Sequence, residues 1–180
     1  MTKPLDQMRI AIVATDGFEQ SELFEPRKAL MDEGATVDVV APKSGTIQGV
    51  IHGKKGKSIA VDCEIEEASP DDYAALVLPG GVANPDALRT NLHVVEFVSA
   101  FVKARKPIAA ICHGPWTLIE ADAVRGRTAT SWPSLKTDLV NAGAHWIDQE
   151  VVVEDGLITS RKPEDLPAFC RALVEELQAD

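Results

Sequence analysis

Pro107-Ile-Ala-Ala-Ile-Cys112-His-Gly-Pro-Trp116 reads as a strand that runs straight into a cysteine and then turns into a helix. Pro107–Ile111 is apolar throughout and has the length of a fully buried strand. Pro115 suits the first helical turn, where a missing N–H costs little and the ring already holds the required φ. Ala110 and Gly114 are small where strand and helix must pack closely. Cys112 therefore stands on a sharp strand-to-helix turn, the construction of a nucleophile elbow.

The flanking sequence repeats the alternation. Arg9–Ala14 is a short apolar β-rich run, followed by turn residues at Thr15-Asp16-Gly17. Ser21–Glu33 carries Leu23, Phe24, Leu30 and Met31 at helical spacing and ends at Gly34, so it predicts a capped helix. Thr36–Ala41 and Ala75–Leu78 read as strands, and Gly45–Asp62 as a hairpin insert. His93–Arg105 predicts a helix burying Val94, Val95, Val98, Phe101 and Val102. Helices are also expected at Gly114–Ala121, Ser134–Ala142 and Pro163–Leu177. Val151–Glu154 should pair with Leu157–Ser160 across the Asp155-Gly156 turn. Buried strands separated by amphipathic helices predict an α/β three-layer sandwich, with a mostly parallel sheet covered on both faces. No linker or repeat interrupts residues 1–180, so one domain is expected.

Composition narrows the function classes. The 180 residues are 45% hydrophobic and 26% charged, ordinary for a globular protein. The net charge of −10 disfavours phosphate backbones and anionic lipid, so neither nucleic acid nor membrane is an expected partner. Lys54-Lys55-Gly-Lys57 and Arg125-Gly-Arg127 are the only basic clusters, and both read as solvated loops. No apolar run approaches the roughly 20 residues of a spanning helix. Met1–Asp6 lacks the apolar region of a signal peptide. Cys63, Cys112 and Cys170 are an odd number without C-x-x-C spacing, which argues against disulfides and metal knuckles and for a reducing, cytoplasmic setting. Neither metal nor cofactor is expected.

Three loops should meet at the carboxyl ends of the parallel strands, where open α/β sheets bind ligands. Cys112 is the candidate nucleophile, its thiolate favoured by the following helix N-terminus. His113 is the candidate base; adjacent side chains on an elbow diverge, so a third group is expected to align it. Gly80 and Gly81 let backbone amides approach a ligand. Glu19, after the first strand, is the candidate acid. Cys170 falls on the apolar stripe of the last helix and reads as core. His52, His93 and His145 have no partner in sequence.

These residues lie in longer recognisable stretches: F-E-x-x-E-L (Phe18–Leu23), L-V-L-P-G-G (Leu76–Gly81), A-I-C-H-G-P (Ala110–Pro115), R-G-R-x-x-T-S-W-P (Arg125–Pro133), N-A-G-A-x-W-x-D (Asn141–Asp148) and a run from Val151 to Phe169. In order and spacing they resemble the PfpI-like intracellular proteases. That family sits in the Parkinsonism-associated deglycase superfamily and has a flavodoxin-like, class I glutamine-amidotransferase-like fold. The resemblance implies that Cys112 is the nucleophile, His113 its adjacent histidine, and Glu19 the acid that hydrogen-bonds the sulfur. It implies an oxyanion hole from the amides of Gly81 and His113, with Gly80 and Gly114 beside it. It also implies that Asp86 reaches His113 of a second subunit, which predicts a homodimer or larger homo-oligomer. Asp86 is one methylene shorter than the Glu usual there. Trp116 stands where many relatives carry Gln and Trp132 where some carry Tyr, so both tryptophans are expected to make the crevice bulkier and more apolar.

Glutamine amidotransferases of this fold use a late His-x-Glu, whereas His145 is followed by Trp146 and Ile147, so that activity is not expected. The leading expectation is a stress-protective cysteine enzyme of deglycase or glyoxalase type, acting on small reactive carbonyls or their protein adducts. A cysteine peptidase using the same residues, and a redox-sensing thiol protein without turnover, are the alternatives.

Overall fold

The computed structural model describes residues 3–179, so Met1 and Thr2, which open the stretch read as lacking a signal peptide, lie outside it. The chain begins with β1 (Arg9–Val13), β2 (Phe18–Glu19), α1 (Gln20–Asp32) and β3 (Thr36–Ala41). The insert forms β4 (Thr46–Ile51) and β5 (Lys54–Ala60), followed by β6 (Cys63–Glu64) and β7 (Ala75–Leu78). Then come α2 (Ala83–Leu88), α3 (Leu92–Ala104), β8 (Ile108–Ile111) and α4 (Pro115–Glu120). The remainder is β9 (Thr128–Ala129), α5 (Lys136–Asn141), β10 (His145–Trp146), β11 (Val151–Glu154), β12 (Leu157–Ser160) and α6 (Leu166–Gln178).

One seven-stranded sheet runs β11-β12-β8-β7-β1-β3-β6. All neighbours are parallel except β11 and β12, which form the expected hairpin across Asp155 and Gly156. Both turn residues have positive φ, 47° and 77°, the geometry that matches the twist of paired strands.

Strand residues alternate between the two faces. Ile10 and Ile12 join a cluster with Leu23 and Leu30 of α1 and with Phe169, Leu173 and Leu177 of α6. Ala11 and Val13 face the opposite layer, built from Val94, Phe97, Val98 and Phe101 of α3 with Leu118 of α4 and Leu139 of α5. Each such Leu, Val or Phe contributes roughly 1.5–3 kcal/mol by leaving water. The result is the three-layer α/β sandwich read from the sequence.

Four local details differ from that reading. Met31 is exposed, because α1 turns Glu22, Leu23, Pro26 and Leu30 inward. On α3, Phe97 takes the core position expected of Val95 and Val102, which are half-buried. Lys54, Lys55 and Lys57 are solvated but lie on strand β5 rather than a loop. Arg127 is not free either, since Nη2 donates to the carbonyl of Asp155 at 2.7 Å.

The insert matters to the site. β4 and β5 turn at His52 and Gly53, and β2 pairs with β4 through Phe18–Gly49 and Glu19–Val50. This three-stranded sheet brings the hairpin tip back over the carboxyl end of β1.

Candidate active site

Cys112 sits where β8 ends, at φ 62°. A non-glycine side chain in the left-handed region costs of order 1 kcal/mol and persists only where the surroundings enforce it. Here the Cys112 N–H donates to Ser160 O at 3.0 Å, and its carbonyl accepts from Trp132 N–H at 2.9 Å. Gly114 follows, packed so tightly that a Cβ there would lie 2.5 Å from Leu78 O. The elbow is therefore held by three neighbouring segments.

The thiol is 7% exposed and forms the floor of a cavity of about 600 Å³. Its walls are Gly17 and Glu19 after β1, Val50, His52 and Gly53 from the insert, Gly81 to Ala83 after β7, Trp132, and Lys162 to Glu164 before α6. The mouth is formed as expected, with two additions: the hairpin tip at His52 and the Lys162–Glu164 segment.

The acid beside the thiol is Glu22, not Glu19. Glu19 closes β2, and its carboxylate oxygens accept from the His52 N–H at 3.2 and 3.3 Å, which ties down the insert. Glu22 lies one turn along α1 and is completely buried, with Oε1 accepting from Gly80 N–H at 3.0 Å. A Cβ on Gly80 would meet Glu22 Oε1 at 2.5 Å and Cys112 Cβ at 2.7 Å, so the two side chains converge over that glycine. The Cys112 thiol lies within hydrogen-bonding reach of the Glu22 carboxyl, while Oε2 meets no other donor. Burial, and then the charge of Glu19, push the Glu22 carboxyl up from 4.5 to about 8, so it is protonated at neutral pH.

Sequence did carry a signal for Glu22. Positions 22, 26 and 30 recur every four residues with Leu23 beside them, which places Glu22 on the buried face of α1. F-E-x-x-E-L offered two glutamates, and the first was the one at the helix cap.

His113 is 8% exposed, and its Nδ1 lies 3.1 Å from Cys112 Sγ. The two side chains meet rather than diverge, because the left-handed turn at Cys112 swings them together. Burial lowers the His113 pKa, which favours the neutral imidazole a base requires. The thiol is also shifted, in the direction opposite to that expected of a helix N-terminus. Burial foremost, and Glu22 next, raise it above its ordinary value, while the amides of Gly81 and His113 pull it down. A six-residue helix end does not outweigh loss of water. Those two amides approach the sulfur. Gly81 allows this through φ 77°, and a Cβ there would lie 2.2 Å from Gly17 O.

The other expected residues divide. Trp132 lines the cavity and stacks on His113. Trp116 does not line it; it packs behind His113 with Nε1 donating to Asp138 at 2.9 Å. Gly80 and Gly114 are buried packing positions outside the cavity wall. Asp86 lies exposed on α2, and its carboxylate pairs with nothing among the described residues of this chain. Asn84, which sequence did not single out, is fully buried on the same helix. It donates to the carbonyls of Pro79 and Gly80 and accepts from Thr15 N–H, fastening two of the three loops together.

Residues 8–176 match the DJ-1/PfpI family. Deglycase PYRAB04690 of Pyrococcus abyssi is 45% identical over 171 residues, covering 95% of this chain and all of that one. General stress protein 18 of Bacillus subtilis is 44% identical over 173 residues, covering 93% of this chain and 98% of its own. Among solved structures, a two-domain protein of Anabaena variabilis with DJ-1/ThiJ/PfpI-like and ferritin-like domains superposes with a TM-score of 0.90 at 35% identity. That match covers 95% of this chain and 48% of the other, so this chain spans about half its length. The family match starts just before β1, takes in the elbow and every wall of the cavity, and ends within α6: the chain belongs to the DJ-1/PfpI family.

Proposed function

We propose that this is a cysteine-dependent protective enzyme acting on small reactive carbonyls or on the adducts they leave on proteins. The observation that carries the reading is the 3.1 Å approach of His113 Nδ1 to the elbow thiol, on the floor of the cavity. At neutral pH the resting pair is a thiol and a neutral imidazole. As Sγ bonds to a carbonyl carbon, the C=O π pair moves onto oxygen and the thiol proton passes to Nδ1. The proton then returns to that oxygen, so the step adds S–H across C=O. Protonated Glu22 and the amides of Gly81 and His113 stabilise negative charge on sulfur while it lasts.

A small carbonyl fits this site better than a peptide backbone does, because the thiol is 7% exposed and lies beneath the walls. The name of the Pyrococcus relative, a deglycase, points the same way, and that of the Bacillus relative points to a role in stress. The working unit in this reading is a homodimer, in which the unpaired Asp86 carboxylate meets the second copy, and its setting is the cytoplasm, in keeping with three free cysteines.

The test is steady-state turnover of methylglyoxal with and without a competing peptide substrate. Wild type should turn over the carbonyl, and Cys112→Ala should lose at least about a hundredfold with its circular dichroism unchanged. Full activity in Cys112→Ala, or peptide cleavage without carbonyl turnover, would overturn the reading.

A further inference from the structure

No carboxylate approaches either ring nitrogen of His113 among the described residues. Apart from the Cys112 thiol, what packs on the ring is aromatic. Trp132 lies nearly parallel to it, with an interplanar angle of 24° and centroids 5.8 Å apart. Trp116 is steeply tilted to it, at 70° with centroids 5.1 Å apart. Resting on the reading of Cys112 and His113 given above, we propose that Trp116 and Trp132 are positioning residues, which clamp His113 and hold the positive charge it acquires when Nδ1 takes the Cys112 proton.

Both residues are fixed in place, Trp132 through its backbone and Trp116 through its ring. The backbone N–H of Trp132 donates to Cys112 O at 2.9 Å, which ties that residue to the elbow. Trp116 is fixed by its indole N–H on Asp138 at 2.9 Å, and the Arg89 guanidinium covers its ring at 5.4 Å. Arg89 is itself neutralised by Glu120 at 2.8 Å, so it adds little repulsion toward an imidazolium. Aromatic faces carry negative potential and attract a cation resting on them, more strongly where water is excluded. An orienting carboxylate serves other nucleophile–histidine pairs by fixing the ring and favouring its charged form. Two indoles of the same chain can do both, more weakly, beside any carboxylate that a second copy brings.

The charged and titratable groups around His113 are few. The Cys112 thiol touches it, with Glu22 beyond. Glu19, His52, Lys162 and Glu164 share its cavity, and Arg89, Glu120 and Asp138 lie behind Trp116.

The experiment follows the His113 imidazole by NMR titration of the full chain, with the signal assigned through His113→Gln, and measures iodoacetamide alkylation of Cys112 at neutral pH. Trp132 is 38% exposed, so its ring can be removed without opening the core. Trp132→Leu should lower the His113 midpoint by roughly half a pH unit and slow alkylation, whereas Trp132→Phe should retain most of both. Trp116→Gln should shift the midpoint the same way. An unmoved midpoint in Trp132→Leu and Trp116→Gln, or a Phe variant that behaves like Leu, would reduce both tryptophans to wall and filler. These readouts use no carbonyl substrate, so a wild-type protein without methylglyoxal turnover would count against the proposed function and leave the clamp standing.

Discussion

At the scale of single residues, the site turns on a proton shared among Glu22, Cys112 and His113. Glu22 ionises in the folded chain near pH 8 instead of 4.5. The folded state therefore binds more protons than the unfolded state between those values, and stability should fall as pH rises through that window. Glu22→Gln removes the effect: its urea midpoint should lose this fall between pH 5 and 8 and exceed wild type at the upper end, by a few kcal/mol at most. It also deletes the charge that forms beside the thiol, so its alkylation profile should move to lower pH, by about one unit. Glu19→Gln should leave that profile close to wild type, and a larger shift there than in Glu22→Gln would return the acid's role to Glu19. The cysteine was legible in sequence because strand, turn and helix all pointed to it. Its acid was legible only through the four-residue spacing of Glu22, Pro26 and Leu30, a weaker signal than the helix-cap position that drew attention to Glu19.

Among the elements, β7, β8 and α4 meet at a single close approach. A Cβ on Gly114 would lie 2.5 Å from Leu78 O and 2.9 Å from Ile111 O. Neither backbone carbonyl can move without disturbing the sheet. Gly114→Ala should therefore cost about 1–3 kcal/mol in chemical denaturation and reduce alkylation of Cys112 as the elbow shifts. Unchanged stability would mean that strand and helix separate more easily than this packing implies. The order of strands and helices was plain from periodicity, since long apolar runs and Gly or Pro boundaries are strong local signals. The short α2 was not, because Ala83–Leu88 contains Asn84 and Pro85 and shows no apolar stripe. Nor could periodicity show that β2 would pair with β4 and carry the insert over the site, a contact between distant parts of the chain.

For the whole molecule, partner and reactivity meet at Asp86, exposed one turn along α2 from the apolar side chain of Val82, itself 57% exposed. Sedimentation at micromolar concentration should give a dimer or larger species, and Asp86→Ala should lower turnover without splitting it. A fully active monomer would leave the carboxylate without a role. The same sheet also sets when reactivity can arise. β12 pairs with the edge of β8, and Ser160 supplies the carbonyl that holds the Cys112 amide, yet β12 is synthesised long after the cysteine. A nascent chain stalled before Leu157 carries Cys112 without the strand that enforces its left-handed turn. Such a chain should present an ordinary, unassisted thiol, so the ribosome carries no working nucleophile until β12 has been made.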